Sequence, residues 1–195
     1  GGKLHLYSSK PPLLSVLLAG PYWLATQMTG WTLGDHPFFL GRIMLFFYGV
    51  LPLAIIITMS CCCIELVGET DRGRIWSAAS IAFGTLLTTF AVALTNHSFA
   101  AACAATSLYC VLLITKRNAR TWQIFAAAGL TAGLTAAFDL PALAWTAAVI
   151  GILTAFDWQQ AFRATVPAVL TVFLAAIGTN LVAHGTAWPP YAYRD

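Results

Sequence analysis

The apolar stretch from Phe38 to Glu65 is the feature that most constrains how this chain folds. About 20 apolar residues in a helix cross the roughly 30 Å hydrocarbon core of a bilayer. Arg42 is the only charged residue within this stretch before its end at Glu65. Because lipid offers no hydrogen bonds, the stretch predicts a membrane-spanning helix, which satisfies its own backbone. Pro52 predicts a tilt or kink within that helix.

The rest of the sequence repeats this pattern. Only 9% of the residues are charged and 59% are hydrophobic, whereas a soluble domain has about 25% charged residues. A water-soluble globule is therefore excluded. The sequence predicts an all-α, multi-pass transmembrane helical bundle with about six spans. The further spans are expected at roughly 75–95, 98–115, 122–138, 141–156 and 164–183.

The N-terminal region predicts a different kind of helix. Residues 11–28 begin with two prolines, contain a Gly20-Pro21 break and carry Tyr22 and Trp23 as interfacial anchors. This short, interrupted segment favours a juxtamembrane helix on the membrane surface over a span.

The predicted organisation has three parts, and both termini suggest missing sequence. The chain starts at Gly1 without an initiator Met and stops at Asp195 without an obvious terminator. We therefore expect missing N- and C-terminal portions of the same protein. The parts are a non-cytoplasmic loop and interfacial helix (1–36), a transmembrane helical domain (37–184) and a truncated non-cytoplasmic tail (185–195).

Charge and cysteine content restrict the partners. The formal charge of +3 and the lack of basic runs argue against a nucleic-acid partner. The phosphate of a membrane lipid is the anionic group that we expect the chain to contact. The five cysteines lie in apolar segments without CxxC spacing, which indicates neither a disulfide framework nor a metal site.

Basic residues predict the orientation. Alternate connections place six of them on one side and four on the other, and the side with six should face the cytoplasm. All four histidines then lie at the non-cytoplasmic face. The six are Arg72, Arg74, Lys116, Arg117, Arg120 and Arg163; the four are Lys3, Lys10, Arg42 and Arg194; the histidines are His5, His36, His97 and His184.

Two basic residues on the outer side are candidates for binding a lipid phosphate. Lys10 precedes Pro11-Pro12 at headgroup depth, and it either binds phosphate or extends its ammonium to water. Arg42 lies near the start of the long span, where a guanidinium needs a partner. Its role is either an ion pair with Asp35 or a contact with substrate phosphate.

Polar residues in two outer turns are candidates for lining a cavity. Asn96 and His97 join two spans, and His97 is either a structural hydrogen-bonding residue or a base or ligand. Asp139 precedes Leu140-Pro141, and it either caps the following helix or acts as a carboxylate with an outer His or Arg partner. His36 joins them as a candidate on the same face.

Two sequence blocks resemble polyprenyl-phosphate-dependent glycosyltransferases of the GT-C type. These include protein mannosyltransferase and aminoarabinose transferase relatives, as in glycosyltransferase family 39. The first block is Tyr7-Ser8-Ser9-Lys10-Pro11-Pro12-Leu13-Leu14, followed by Leu18-Ala19-Gly20-Pro21-Tyr22-Trp23; the second runs from Gly34 to Arg42. The turns at Asn96-His97 and at 138–141 are also similar to outer turns of bacterial members.

The resemblance implies transfer of a sugar from a polyprenyl-phosphate carrier to an acceptor at the outer face of a bacterial cytoplasmic membrane. Lys10 and Arg42 would bind the donor phosphate, and His97 would line the cavity. The lipid-linked sugar is a substrate, so no cofactor is expected, and participation of a divalent metal stays open. The family's catalytic carboxylate lies upstream of Lys10, where this chain has none. Either the missing N-terminal portion supplies it or the chain is not a competent enzyme.

Two other functions remain as alternatives. A transporter or channel subunit predicts ionisable residues near mid-span and paired interrupted helices. A non-catalytic membrane scaffold predicts that the outer polar residues only satisfy helix ends. The sequence has no nucleotide-binding or protease motif that would add a fourth class.

Overall fold

The computed structural model describes residues 12–93 and 95–187, and the regular structure of these residues is entirely helical. Three helices are long and apolar enough to cross a membrane, namely α2, α5 and α8, and α6 and α7 are shorter apolar helices. In chain order the helices are α1 (Leu13–Thr29), α2 (Pro37–Val67), α3 (Asp71–Phe83), α4 (Leu87–Phe90), α5 (Asn96–Arg117), α6 (Trp122–Phe138), α7 (Leu140–Phe156) and α8 (Trp158–His184).

Helix α6 forms the centre of the bundle. Its residues Phe125, Ala128 and Ala132 have no exposed surface. Thr146 of α7 donates a 2.7 Å hydrogen bond to the Ala132 carbonyl, and Thr165 of α8 donates a 3.0 Å bond to the Phe125 carbonyl. Small side chains allow helix backbones to approach closely, which drives helix association in lipid, where apolar burial contributes little. The sequence of α6 thus suits a helix surrounded by other helices.

Two long helices each contain a π-helical turn that ends two residues before a proline. In α2 the turn is Phe46–Val50 and Pro52 follows; in α8 the turn is Ala161–Thr165 and Pro167 follows. A proline has no backbone N–H to donate to the carbonyl four residues earlier, so one helical hydrogen bond is lost. A π-turn is one way for a helix to continue past this missing hydrogen bond. The irregularity predicted at Pro52 is therefore this turn, within a continuous helix.

The region predicted as a span at roughly 75–95 is divided into two short helices. Helix α3 ends at Phe83 before Gly84, and the Thr85 hydroxyl donates a 2.8 Å hydrogen bond to the Ile81 carbonyl. None of the residues of α3 and α4 is buried, so packing does not compensate for the break. The chain nevertheless returns along α2, because Gly49 and Ala91 are in backbone contact.

Helix α1 differs from its prediction in two ways. It continues through Pro21, and the carbonyl that loses its partner belongs to Leu17, whose side chain is 52% exposed. Its first half is also inserted into the bundle, since Leu13, Leu14 and Leu18 are buried in a cluster with residues of α5, α6 and α8. Helices α1 and α2 form a hairpin joined by residues 30–36.

The two ends of the bundle differ in chemistry. At the end that we call the charged end, Arg120 pairs with Asp157 and Arg74 pairs with Glu65, both at 3.5 Å. The opposite end, which we call the histidine end, contains the α1–α2 loop with His36 and the turns at His97 and Asp139. Helix α5 covers about 30 Å between these ends at 1.5 Å per residue, which matches the hydrocarbon core.

Candidate functional site

Two turns that are 42 residues apart in the sequence meet at the histidine end. The Nδ1 atom of His97 lies 2.9 Å from Oδ2 of Asp139, and Asn96 Nδ2 donates a hydrogen bond to the Phe138 carbonyl. Thr95 caps α5 by accepting a 3.3 Å hydrogen bond from the His97 N–H. The first turn of α5 is thus fixed against the end of α6.

Asp139 does not cap the following helix with its carboxylate. Its side chain accepts no hydrogen bond from the first turn of α7, and its backbone carbonyl bonds instead to the Ala142 N–H at 2.9 Å. The short 3₁₀ turn Leu140–Ala142 uses backbone groups for its start, which leaves the carboxylate free to pair with His97. The capping interpretation is therefore wrong, and the His partner is the one that the structure provides.

Three aromatic rings lie beneath this pair. Phe99 packs edge-on against Tyr48 of α2, with ring centroids 5.4 Å apart, and against Phe138 of α6, at 6.0 Å. Phe138 directly precedes Asp139 and Phe99 follows His97 by two residues, so these rings form an apolar floor next to the pair. Tyr48 connects the floor to the neighbouring groove.

The groove lies between α1 and the first half of α2 and has a volume of about 300 Å³. Its lining is apolar apart from the hydroxyls of Ser15, Tyr22 and Tyr48. The Tyr22 hydroxyl accepts a 3.4 Å hydrogen bond from the Leu33 N–H, which ties α1 to the α1–α2 loop. The remaining lining residues are Leu18, Ala19, Leu33 and Met44.

Sequence analysis did not predict this groove, although it named Tyr22 as an interfacial anchor and quoted Leu18 and Ala19 in the resemblance. The signal was present, since Ser15, Leu18, Ala19 and Tyr22 follow the spacing of one helix face, as do Met44 and Tyr48. Which neighbour that face meets depends on how the hairpin folds, and periodicity does not show this.

Arg42 is not paired with Asp35. The Asp35 carboxylate accepts a 2.6 Å hydrogen bond from the Thr32 hydroxyl, and the Arg42 guanidinium stacks over the Phe38 ring, 4.1 Å from its centroid. Among the described residues Arg42 has no ion pair. A stacked guanidinium keeps donors available for an anion, so of the two predicted roles the ion pair with Asp35 is wrong.

His36 lies in the α1–α2 loop, against Trp31, with ring centroids 4.9 Å apart. It makes no contact with the His97–Asp139 pair among the interactions of the described residues. Lys10 lies outside the described residues. The predicted set is therefore only partly assembled: Asn96, His97 and Asp139 converge, while Arg42 and His36 lie at the same end in the hairpin.

The described residues, 12–93 and 95–187, do not form a set of ligands for a metal ion. No group of three or more His, Cys, Asp or Glu side chains is gathered there. Two donors, such as His97 and Asp139, fall short of the three or four protein ligands of a typical zinc site.

Comparison with known proteins gives no relative for this chain. No protein-family model, no curated protein and no solved structure matches it. The arguments for function therefore rest on the sequence motifs and on the site geometry.

Proposed function

We propose that the chain is part of a GT-C type membrane glycosyltransferase that moves a sugar from a polyprenyl-phosphate carrier to an acceptor. The observation that carries the proposal is the His97–Asp139 pair, which lies at the same end of the bundle as the groove and Arg42. These features supply what the reaction needs: a polar reaction site, a surface for an isoprenoid tail and a cation for its phosphate.

The donor would use both helices of the hairpin. The groove along α1 and α2 has apolar walls that suit an isoprenoid chain, and Arg42 lies six residues before Tyr48, or about 9 Å along the helix. Its guanidinium offers charge-assisted hydrogen bonds to phosphate. Lys10, two positions before Pro12 in the sequence, would be the second cation that contacts the donor phosphate.

The chemistry requires stabilisation of the leaving phosphate. Transfer breaks the bond between the anomeric carbon and the phosphate oxygen, and negative charge develops on that oxygen. Cations in a poorly hydrated site stabilise this charge more strongly than they would in water. The donor itself carries the activated bond, so the proposal includes no cofactor and leaves a divalent metal open.

The proposed topology has six passes, with the site on the non-cytoplasmic side of a bacterial cytoplasmic membrane. The passes are α2, the divided segment at 71–95, α5, α6, α7 and α8, and α1 is the juxtamembrane helix. The charged end would face the cytoplasm, because six basic residues lie in its connections or in the adjoining helix turns.

A transporter is the second candidate, and the paired π-turns before Pro52 and Pro167 favour it. Transport sites also use ionisable residues near the bilayer midplane. The described parts of α2, α5 and α8 have charged residues only towards their ends, which favours the transferase. A scaffold whose polar residues only cap helices does not explain the His97–Asp139 contact.

Lipid retention tests the proposal. The protein would be reconstituted in nanodiscs with equal amounts of polyprenyl monophosphate and phosphatidylglycerol, and retained lipid would be measured by native mass spectrometry. We expect preferential retention of the polyprenyl phosphate, reduced about tenfold by Arg42→Gln, the loss of about one charge-assisted hydrogen bond. Arg163→Gln, at the charged end, is the matched control and should retain the lipid as wild type does.

Equal retention of both lipids by the wild type would contradict the proposal. Selective uptake of a small solute into sealed vesicles, without lipid retention, would favour the transporter instead.

A further inference from the structure

The contact between His97 and Asp139 determines which ring nitrogen carries the hydrogen when the imidazole is neutral. A carboxylate offers only acceptors, so the imidazole atom 2.9 Å from Asp139 Oδ2, which is Nδ1, must donate. In the neutral ring the other nitrogen, Nε2, then has a lone pair available. This is the tautomer that a histidine needs in order to accept a proton at Nε2.

The pair is held in place from both sides. Asn96, the neighbour of His97, bonds to the carbonyl of Phe138, the neighbour of Asp139, so the two turns have two parallel links. Below, the rings of Phe99 and Phe138 support both turns. Such support limits the motion of the imidazole relative to the carboxylate, which is what a preorganised acid–base group requires.

The pair is also accessible. The His97 side chain is 51% exposed and that of Asp139 is 32% exposed. A histidine that only tied two turns together would need no such exposure, and a substrate hydroxyl can reach this one directly. Tyr48 lines the groove and packs against Phe99, which lies two residues after His97, so one aromatic contact connects the groove to the first turn of α5.

From this geometry we infer that His97 is the general base of the transfer reaction and that Asp139 is its positioning residue. The inference rests on the proposed function. It gives the chain a base of its own, although the resemblance places the family's catalytic carboxylate upstream of Lys10, where this sequence has no Asp or Glu.

The acceptor belongs to the class of hydroxyl compounds. Its O–H proton moves to Nε2 of His97, and its oxygen forms a bond to the anomeric carbon of the donor sugar. The bond from that carbon to the phosphate oxygen breaks, and its electron pair leaves with the polyprenyl phosphate. The imidazolium, stabilised by the Asp139 carboxylate, then releases its proton to water.

The test uses the full-length protein in nanodiscs with a polyprenyl-phosphoryl sugar that is radiolabelled in the sugar. Release of label to water and to added glycerol is measured against pH, and donor retention is measured in parallel. We expect His97→Gln to lower the transfer rate by about 10²- to 10⁴-fold with unchanged donor retention. The low-pH limb of the wild-type profile should disappear in this variant.

Asp139→Asn tests the positioning role. It keeps the shape of the side chain but allows the amide to donate to Nδ1, which favours the wrong tautomer, and we expect a lower rate with donor retention unchanged. The double variant should be no slower than His97→Gln, because the two groups act as a unit. Asp157→Asn, which alters the Arg120 pair at the charged end, is the matched control and should leave transfer unchanged.

The outcomes separate the two proposals. If the wild type transfers and His97→Gln transfers equally well, the base assignment is overturned and the proposed function stands. If the wild type retains the donor but never releases its sugar, even to water, the base assignment is likewise overturned. A wild type that retains no donor overturns the proposed function and this inference with it.

Discussion

Gly129 of α6 is in direct contact with the backbone of Thr165 in α8. A Cβ atom added at Gly129 would lie 2.3 Å from the Thr165 carbonyl oxygen and 2.9 Å from its carbonyl carbon. Because backbone atoms cannot move aside as a flexible side chain does, only glycine fits here. One turn later, a Cβ atom added at Gly133 would lie 3.2–3.4 Å from atoms of Val169 and Val172, so α6 and α8 are in contact over a Gly-x-x-x-Gly face.

We predict that Gly129→Ala destabilises the bundle by about 1–3 kcal/mol, the usual range for overpacking a tight interface. The added methyl group would force α6 and α8 apart and weaken the hydrogen bond from Thr165 to the Phe125 carbonyl. Unfolding of purified protein in mixed micelles, followed by circular dichroism, measures the effect. Gly178→Ala in α8 is the control, since nothing lies within 4 Å of its added Cβ. Equal stability of the two variants would contradict this contact.

Gly49 makes a tighter contact at the π-turn of α2. Its added Cβ would lie 1.7 Å from the Ala91 carbonyl oxygen. We predict that Gly49→Ala displaces the segment after α4 and speeds hydrogen exchange of amides in residues 85–93, because that region has few other contacts. Hydrogen exchange with mass spectrometry measures this change. Gly41→Ala in the same helix has open space around its Cβ and should leave the exchange rates unchanged.

Sequence reasoning succeeded where hydrophobicity alone decides the structure. The bounds predicted at 122–138 and 141–156 match the helices α6 (Trp122–Phe138) and α7 (Leu140–Phe156), which are apolar but shorter than the three helices long enough to cross a membrane. In these segments the apolar run, its length and the Asp that follows it are sufficient to predict the helix and its bounds, since each favours the same local structure.

Sequence reasoning failed where two local conformations were possible and a tertiary contact determined which one forms. Gly20-Pro21 was expected to interrupt α1, but the helix continues because Leu18 and Ala25 on either side are held in the bundle. Asp139 was expected to act as a helix cap, but the partner that it uses, His97, is 42 residues away in the sequence. Neither of these tertiary contacts can be predicted from a short stretch of sequence around the residue.

A partly buried polar contact between α5 and α7 gives a third prediction. Trp145 Nε1 donates a 2.8 Å hydrogen bond to the Ser107 hydroxyl, and Ser107 has no exposed surface. Hydrogen bonds between membrane helices average about 0.6 kcal/mol and reach about 1.7 kcal/mol in double-mutant cycles. A cycle with Trp145→Phe and Ser107→Ala should give a coupling energy within that range.

The control for this cycle is Trp158→Phe combined with Ser107→Ala. Trp158 is 62% exposed at the charged end, so its coupling to Ser107 should be close to zero. A coupling of the same size in both cycles would mean that the measured effect does not come from the hydrogen bond.

The proposed orientation gives the last prediction. Gly34 lies in the exposed loop of the α1–α2 hairpin, and Gln123 is exposed in the first turn of α6 at the charged end. In intact cells, a membrane-impermeant maleimide should label Gly34→Cys rapidly and should label Gln123→Cys only after permeabilisation, because the charged end carries the basic excess that remains in the cytoplasm. The wild type measures the background of the five native cysteines, which lie in α2 and α5. Labelling of Gln123→Cys without permeabilisation, with Gly34→Cys protected, would reverse the orientation and place His97 and Asp139 on the cytoplasmic side, away from the acceptors that the proposed reaction requires.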